Sequence, residues 1–327
     1  MFKRTSRIYK KGQGRLKEVI WSRVAAVIVF ASLSCCVMYL FYESDSGQTS
    51  YAPAAETVVE PSAAAHPLST VSLPNDSQAA VGTLFEGLVA TNETGDPVPI
   101  ASITKVLTTL VVLEKAPLKP GEQGDSITLT QKDVDYYQKY IGIGGTVTNV
   151  VAGESMTQYQ VLQTMLLASS NNMSDTIVEH YFGSVDEYLK QANIYLKEND
   201  LQNTKIADAT GFSPESVSTP SDVLTFSQLA LQNPVIKEIA AQKSANVPVA
   251  GEILNYNPLI NEPNVTGLKP GFTDEAGATL VFSADVPLAN GETKSVIGVV
   301  LGGHDASTYF TNLRDLLEQM RQKYSAL

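Results

Sequence analysis

The chain has 327 residues, of which 43% are hydrophobic and 17% charged, and its formal net charge is −11 at pH 7. This composition excludes an intrinsically disordered protein and can supply one large hydrophobic core or two smaller ones. The acidic charge argues against nucleic acid as a partner, since phosphate backbones attract basic proteins.

The basic residues are concentrated at the N-terminus. Residues 1–23 contain eight lysines and arginines and one glutamate, a charge of +7, and subtracting it from the total of −11 leaves −18 downstream. Residues 24–42 carry no charged side chain over nineteen positions, about the length that a helix needs to cross a bilayer. Because the basic end stays in the cytoplasm, we expect a single-pass anchor in the cytoplasmic membrane, with the acidic bulk outside.

A cleaved signal peptide is the alternative to this anchor. Its apolar core would be shorter, and the A-x-A-like sites at residues 52–54 and 63–65 lie well past the apolar run. Both cysteines, Cys35 and Cys36, fall inside the span, so no disulfide can stabilise the exported part. Residues 43–74 are rich in Ser, Ala, Pro and Thr and predict a linker, which leaves residues 75–327 as the folded domain.

The folded domain begins with an apolar segment, residues 79–90, that predicts a pair of strands. Pro97 and Pro99 then favour an extended segment. Apolar residues at helical spacing follow and predict a helix with one buried face: Ile103, Val106, Leu107, Leu110 and Val111.

Ser102 and Lys105 lie at the start of this predicted helix, where residues three apart are surface neighbours. A lysine whose pKa is depressed can remove the proton of a serine hydroxyl, and the helix N-terminus points N–H groups toward an oxyanion. An exposed lysine beside an N-capping serine has the same spacing. The pair alone leaves both interpretations open.

Later segments carry further start and turn signals. Thr157 and Gln160 have capping-box spacing and predict a helix that leads into Ser169, Ser170 and Asn171. A helix start is also predicted at Thr219, Pro220 and Asp222. A strand carrying Lys269 is followed by a hairpin with its turn at Asn290 and Gly291, and residues 306–324 predict a final helix.

Three short motifs therefore occur in order, in the segments ASITKVLT, LLASSNNMSD and GLKPGFTDEAGATLV. With them the chain resembles the D-alanyl-D-alanine carboxypeptidases of the low-molecular-mass penicillin-binding proteins, from about residue 79 onward. The resemblance implies a β-lactamase/transpeptidase-like α/β fold, in which helices cover an antiparallel sheet. A mostly helical lobe lies beside the sheet, with the active site between them.

The resemblance also implies roles for individual residues. Ser102 would attack the penultimate D-alanine of a peptidoglycan stem peptide, with Lys105 as its base. Ser169 would relay a proton to the leaving amine, and Asn171 would hydrogen-bond the substrate or Lys105. Lys269 would lower the pKa of Lys105 and attract the terminal carboxylate, and Thr273 would help to bind it. The oxyanion hole would combine the N–H groups of Ser102 and of Phe272, the residue after Gly271.

Two departures from the family pattern are visible. Pro270 stands where the family has Thr or Ser between Lys269 and Gly271, so a hydroxyl expected to bind the substrate carboxylate is missing. An edge strand tolerates such a proline. Ser170 and Asn172 replace the glycine and aspartate of the commoner SGND sequence, which puts substrate preference in question.

Three functions stay open on the sequence: a carboxypeptidase inhibited by β-lactams, a β-lactamase-like hydrolase, and a catalytically impaired peptidoglycan-binding homologue. The carboxypeptidase is favoured, because no E-x-x-L-N-like segment supplies the deacylating acid of a β-lactamase. The scheme requires no cofactor. His66, His180 and His304 are scattered without metal-ligand spacing, so no zinc site is predicted.

Overall fold

The computed structural model describes residues 70–325. Its strands are, in chain order, β1 Gln78–Thr83, β2 Gly87–Thr91, β3 Val98–Pro99, β4 Ser126–Thr128, β5 Ser155–Thr157, β6 Val217–Ser218, β7 Ser244–Val247, β8 Gly251–Leu254, β9 Val265–Thr273, β10 Gly277–Pro287 and β11 Thr293–Gly303. Its helices are α1 Thr104–Lys115, α2 Gln131–Gly142, α3 Gln158–Leu166, α4 Asn171–Phe182, α5 Val185–Glu198, α6 Pro220–Gln232, α7 Pro234–Ala240 and α8 Ala306–Ser325. A 3-10 turn, Ala101–Ile103, immediately precedes α1.

Five strands form one antiparallel sheet in the order β2-β1-β11-β10-β9. Successive side chains of β10 point to opposite faces: Leu280 and Phe282 pack with α8, whereas Val281 packs with the helices of the other lobe. Both faces of the sheet are therefore buried beneath helices. The predicted mixed α/β fold with an antiparallel sheet covered by helices is confirmed, and β9 is an edge strand of the sheet.

Helix α1 is enclosed on every side. Its residues from Thr104 to Leu113 are all buried, whereas the sequence pattern predicted a single buried face. Two buried threonines of α1 have partners, since Thr109 Oγ1 donates to the carbonyl oxygen of Lys105 at 2.8 Å and Thr108 Oγ1 donates to that of Ala209 at 2.9 Å, whereas Thr104 Oγ1 is buried without a hydrogen-bond partner. A helix buried all round lies at the centre of a core, so α1 is the axis around which the helical lobe packs.

The predicted helix starts and hairpin turn are confirmed. Thr157 caps α3 in a capping box with Gln160, and the Thr219 side chain accepts from the backbone N–H of Asp222 at the start of α6. Gly291, with φ 84°, lies in the turn between β10 and β11. The predicted strand pair at the start of the domain is the β1–β2 hairpin.

Residues 70–74, the end of the predicted linker, lie against the C-terminal helix. The backbone N–H of Ser72 donates to Gln319 Oε1 at 2.7 Å, and Gln319 Nε2 donates to the carbonyl oxygen of Ser72 at 3.2 Å. Within residues 70–325 no helix is long and apolar enough to cross a bilayer. The predicted tail, membrane span and most of the linker, residues 1–69, lie outside the described residues.

Candidate active site

Ser102 lies in the 3-10 turn that leads into α1. Its neighbour Ala101 has φ 45°, a left-handed conformation that costs a non-glycine residue about 1–3 kcal/mol and persists only where the surroundings impose it. Those surroundings include Gly211, where an added Cβ would lie 1.8 Å from the carbonyl oxygen of Ala101. Ser102 is thus held on a constrained corner, with its side chain partly exposed.

Lys105 is fully buried on the first turn of α1. Its Nζ donates to Ser102 Oγ at 2.9 Å, to Asn171 Oδ1 at 2.6 Å and to the carbonyl oxygen of Thr210 at 2.8 Å. The N-cap of α1 is Ile103, so Ser102 does not cap this helix. The alternative of an exposed lysine beside an N-capping serine is therefore wrong, and the first two motifs meet at one amino group.

These three contacts determine what the amino group can do. A neutral amine has two N–H groups and one lone pair. Because the Thr210 carbonyl and Asn171 Oδ1 only accept, they take the two N–H groups and leave the lone pair facing Ser102 Oγ. After Nζ gains the serine proton, each of its three N–H groups still has an acceptor. The arrangement can remove a proton from Ser102 without reorienting Lys105.

The pKa of Lys105 suits this role. Burial lowers it from 10.5 to about 7, and the negative charges of Asp208 and Asp175 oppose the decrease. The resemblance implied that the charge of Lys269 causes the decrease, but desolvation is the main cause. Lys269 is fully buried as well, and its pKa is lowered well below 10.5 by burial and then by repulsion from Lys105. Lys105 is therefore available as a neutral base near neutral pH.

The second motif lies between α3 and α4. Ser169 is 7% exposed and has φ 60°, a left-handed conformation of the kind found at functional sites. Asn171 begins α4, and its backbone N–H donates to the carbonyl oxygen of Thr146 at 2.8 Å. This bond ties the segment between α2 and β5 to the residue that contacts Lys105.

The departures at Ser170 and Asn172 form one connected group. Ser170 Oγ donates to Asn172 Oδ1 at 2.8 Å. The Asn172 side chain also holds both backbone groups of Thr148, since Oδ1 accepts from its N–H and Nδ2 donates to its carbonyl oxygen, each at 3.0 Å. An aspartate at 172 could not make the last of these bonds, so Asn172 fixes the Thr148 segment in a way that the commoner residue cannot.

In the third motif, Pro270 occupies a position where its missing N–H costs little. Lys269 Nζ donates to the Pro270 carbonyl oxygen at 3.1 Å. The Pro270 carbonyl thus accepts a hydrogen bond from a side chain. In an antiparallel strand the N–H and C=O of one residue point to the same side, so an N–H at position 270 would point the same way as this carbonyl. Pro270 therefore presents its backbone away from β10, as an edge strand allows.

Gly271 brings β9 against the candidate nucleophile. A Cβ at this position would lie 2.7 Å from the backbone N of Ser102 and 2.6 Å from Thr279 Oγ1. Strand β9 carries Phe272, one of the two predicted oxyanion-hole donors. It therefore lies directly against Ser102, whose N–H is the other predicted donor. The Phe272 side chain is 67% exposed. Thr273 Oγ1 accepts from the N–H of Ala276 at 3.1 Å in the β9–β10 turn, which leaves its hydroxyl proton for another acceptor.

The Thr210 carbonyl contacts Lys105, although no pattern in the sequence predicts a role for the segment around Thr210. Asp208 organises this segment by accepting from the N–H groups of Thr210, Gly211 and Ser213 at 3.2, 2.6 and 2.9 Å. The Asp-x-Thr-Gly order signals a turn, but the contact joins residues 105 positions apart. Only the tertiary fold reveals it.

Within residues 70–325 no group of three or more His, Cys, Asp or Glu residues could hold a metal ion. His180 Nε2 lies 3.7 Å from Asp125 Oδ2, and His304 is exposed. His66 lies outside the described residues. That the protein needs no cofactor stays a prediction.

Comparison with known proteins places this site in a family. The sequence pattern of the D-alanyl-D-alanine carboxypeptidases matches residues 84–305. The chain is 28% identical over 232 residues to a D-alanyl-D-alanine endopeptidase of Pseudomonas aeruginosa, covering 68% of this chain and 70% of that protein. It is also 28% identical over 190 residues to the D-alanyl-D-alanine carboxypeptidase DacF of Bacillus subtilis, covering 56% of this chain and 47% of that protein.

A solved structure shares the fold. The D-alanyl-D-alanine carboxypeptidase of Mycobacterium tuberculosis superposes with a TM-score of 0.65 at 25% identity, covering 80% of this chain and 96% of the other. The similar proteins therefore include both D-alanyl-D-alanine carboxypeptidases and D-alanyl-D-alanine endopeptidases.

Proposed function

We propose, because the chain belongs to the D-alanyl-D-alanine carboxypeptidase family and is therefore a serine peptidase, that it trims peptidoglycan stem peptides through an acyl-enzyme on Ser102. The observation that carries this proposal is the buried Lys105 amino group, 2.9 Å from Ser102 Oγ and with its other N–H groups taken by fixed acceptors. Terminal D-alanine is the group that the reaction releases.

Acylation begins when Ser102 Oγ attacks the carbonyl carbon of the penultimate D-alanine and its proton passes to Lys105 Nζ. The carbonyl electron pair moves to oxygen, where the N–H groups of Ser102 and Phe272 stabilise the negative charge. The C–N bond then breaks as the proton that Lys105 took from Ser102 passes through Ser169 to the leaving amine, which leaves Lys105 neutral again. Water attacks the resulting ester while Lys105 takes one of its protons, and this proton passes to Ser102 Oγ as the ester bond breaks and the shortened peptide leaves.

Covalent labelling with a fluorescent penicillin tests this proposal. We expect wild-type protein to be labelled, Ser102→Ala to be unlabelled, and Lys105→Ala to be slowed by orders of magnitude. Lys115→Ala is the matched control, since Lys115 is an exposed lysine on the same helix, and it should label like the wild type. Full labelling of Ser102→Ala would reject the assigned nucleophile. Rapid loss of the label would favour a β-lactamase, and an unlabelled wild type would favour the impaired homologue.

A second candidate function is an endopeptidase that cleaves inside a peptide, where the residue after the scissile bond has no free carboxylate. Pro270 favours it, because this position offers no hydroxyl to a terminal carboxylate. The name of the Pseudomonas aeruginosa relative is consistent with such an activity. The two candidates share the acylation chemistry and differ in what binds beyond the scissile bond.

Substitution of Pro270 by threonine separates these candidates. If Lys269 and Thr273 already bind a terminal carboxylate, Pro270→Thr adds a charge-assisted hydrogen bond and should raise kcat/KM on a D-Ala-D-Ala peptide acid about tenfold. The same peptide with an amidated C-terminus should gain little. Wild-type preference for the amidated peptide would favour the endopeptidase. Equal gains on both peptides would mean that Pro270 acts through backbone geometry and not through its missing hydroxyl.

We propose that the catalytic domain is located on the outer side of the cytoplasmic membrane. The charge of +7 in residues 1–23, the uncharged run of residues 24–42 and the charge of −18 beyond Arg23 support an anchor of this orientation. Accessibility of the domain to protease added outside the membrane tests this placement.

A further inference from the structure

The Thr210 carbonyl oxygen is one of two fixed acceptors that orient the Lys105 amino group. A backbone carbonyl in a loop holds such a position only if the loop itself is fixed. Thr210 belongs to no helix or strand, because it lies between α5 and β6. What fixes this loop therefore also fixes the direction of the Lys105 lone pair.

The Asp208 carboxylate is the centre of the loop. Its Oδ1 accepts from the backbone N–H groups of Thr210 and Gly211 and from Ser216 Oγ, at 3.2, 2.6 and 3.2 Å. Its Oδ2 accepts from Thr210 Oγ1 at 3.0 Å and from the N–H of Ser213 at 2.9 Å. Five donors on one carboxylate make a rigid turn, since a charged acceptor forms stronger hydrogen bonds than a neutral one.

The same loop packs beneath the nucleophile. Gly211, with φ 73°, has no room for a side chain, because a Cβ would meet the carbonyl oxygen of Ala101 at 1.8 Å and Thr104 Oγ1 at 2.6 Å. The carbonyl oxygen of Ala209 accepts from Thr108 Oγ1 at 2.9 Å. The turn is thus joined to α1 on both sides of the Thr210 carbonyl.

Asp208 also places negative charge near a buried amine. Its charge raises the pKa of Lys105 against the decrease that burial causes, as does that of Asp175 on α4. The other titratable groups around Lys105 and these two acids are Lys269 on β9, Lys139 and Tyr140 on α2, and Tyr188 on α5. Asp175 already contacts Lys139 and Tyr140, at 3.3 and 2.9 Å, so part of its charge is compensated.

We propose that Asp208 is a positioning residue for the base of this peptidase: its carboxylate holds the Thr210 carbonyl on Lys105 Nζ and supplies negative charge to the buried amine. The inference rests on the proposed function, in which Lys105 is the base. It assigns two effects to one side chain. Loss of the hydrogen bonds misdirects the lone pair and slows acylation, and loss of the charge changes the pH at which Lys105 becomes neutral.

The rate of acylation by fluorescent penicillin, followed from about pH 5.5 to 9, tests both effects. In the wild type the rate should rise with pH as Lys105 loses its proton, with a midpoint near its pKa of about 7. In Asp208→Asn the plateau rate should fall about tenfold or more, and the midpoint should move to lower pH by about half a unit or more, because a charge that favours the protonated amine is gone. A purely structural role would lower the plateau and leave the midpoint in place.

Asp222→Asn is the matched control. Asp222 is a buried carboxylate that, like Asp208, accepts from a backbone N–H and a threonine hydroxyl, those of Asn203 and Thr204 at 2.9 and 2.8 Å, and its charge is not among those acting on Lys105. It should lose stability but keep the wild-type plateau and midpoint. Thr210→Ala removes one donor to Asp208 and keeps its charge, so it should lower the plateau about threefold without moving the midpoint.

Each outcome of these experiments supports or overturns the proposed role of Asp208. A wild type that penicillin does not acylate rejects the proposed function and this inference with it. With an acylated wild type, an unchanged plateau and midpoint in Asp208→Asn overturn the inference alone, and so does an equal midpoint shift in Asp222→Asn. If thermal melting shows Asp208→Asn to be unfolded, Thr210→Ala carries the decision, because a wild-type plateau there would show that the hydrogen bonds to Asp208 do not position Lys105.

Discussion

Lys269 is a second buried lysine in the site, and its pKa makes a prediction about stability. The folded-state pKa lies well below the ordinary 10.5, so between these two values the unfolded chain binds more protons and the unfolding free energy rises with pH. Lys269→Met removes this term. We expect the stability of the variant relative to the wild type to fall by up to about 1.4 kcal/mol per pH unit as pH rises between the folded-state pKa and 10.5.

Chemical denaturation at several pH values measures this difference. Lys205→Met is the control, since Lys205 is 62% exposed at its side chain, and its relative stability should change little with pH. A relative stability of Lys269→Met that is constant or rises with pH would show that the folded protein keeps Lys269 charged.

Asn172 carries a second prediction at this scale. Asn172→Asp keeps an acceptor for the Thr148 N–H but loses the donor to the Thr148 carbonyl oxygen. A buried carbonyl left without a partner costs about 1–3 kcal/mol, so denaturation should show a loss of that size. Asn193→Asp, on the exposed face of α5, should lose far less. Equal losses in the two variants would mean that Asn172 is not the anchor of the Thr148 segment.

At the scale of residues, the sequence predicted the pairing of Ser102 with Lys105, because helical spacing is a local rule. The resemblance implied that Asn171 hydrogen-bonds the substrate or Lys105, and the structure shows the bond to Lys105. Thr210 and Asp208 were missed, since no local pattern says that a turn between α5 and β6 reaches α1. The cause implied for the lowered Lys105 pKa, the charge of Lys269, was also wrong, because the main cause is burial. Burial of a helix on all sides depends on every element packed around it, which no local pattern shows.

Strand β9 makes a prediction at the scale of the element. Gly271→Ala introduces a Cβ 2.7 Å from the Ser102 backbone N and 3.0 Å from Ala101 Cβ. Either β9 or the 3-10 turn Ala101–Ile103, called the nucleophile turn because it contains Ser102, must therefore shift. Acylation should slow about a hundredfold, because misplacing reacting groups by even an ångström has effects of this size, while the melting temperature should change modestly.

Gly142→Ala is the control for this substitution, since a Cβ at Gly142 meets no atom within 4 Å. It should keep wild-type acylation and leave stability unchanged or slightly raised. Acylation of Gly271→Ala at the wild-type rate would show that the contact between β9 and the nucleophile turn is not needed in the reaction.

The elements that followed from sequence did so because caps and turns are local chemistry: Thr157, Thr219 and Gly291 each stand where a helix begins or a hairpin turns. Helices α2, α4, α5 and α7 and the short strands β4 to β8 were not predicted. The single apolar face predicted for α1 was incomplete. Threonines and a lysine interrupt its apolar pattern, yet the polar atoms of Lys105, Thr108 and Thr109 have partners on α1 itself or on other segments, so these side chains can be buried. Only the Thr104 hydroxyl, among these residues, is buried without a hydrogen-bond partner. The spacing of apolar residues in a sequence does not show whether the polar side chains between them will have hydrogen-bond partners.

At the scale of the molecule, the antiparallel sheet and its covering helices were predicted, whereas the strand order was not, because pairing across long separations leaves no local trace. The order matters for the site: β9 is an edge strand, so one side of it faces α7 and the nucleophile turn instead of another strand of the sheet. The tail, span and most of the linker stay predictions.

The orientation of the chain is tested on cells. Protease added outside the cytoplasmic membrane, with any outer envelope opened, should remove the domain while a cytoplasmic marker survives. Substituting the lysines and arginines of residues 1–23 by neutral residues should weaken this orientation, because positive charge sets it. Protection of the domain equal to that of the marker would reject the proposed placement.

The enclosure of α1 has a consequence for dynamics. Amide protons exchange with solvent when the structure opens locally or unfolds globally, and the slowest amide protons exchange only when the whole domain unfolds. The residues of α1 from Thr104 to Leu113 are buried between the sheet and the other helices, so we expect their amides to exchange in this slowest class. We therefore expect local opening to leave the Lys105 backbone in place. On heating, the site loses its geometry only when the domain unfolds, and the rate of inactivation follows the rate of unfolding.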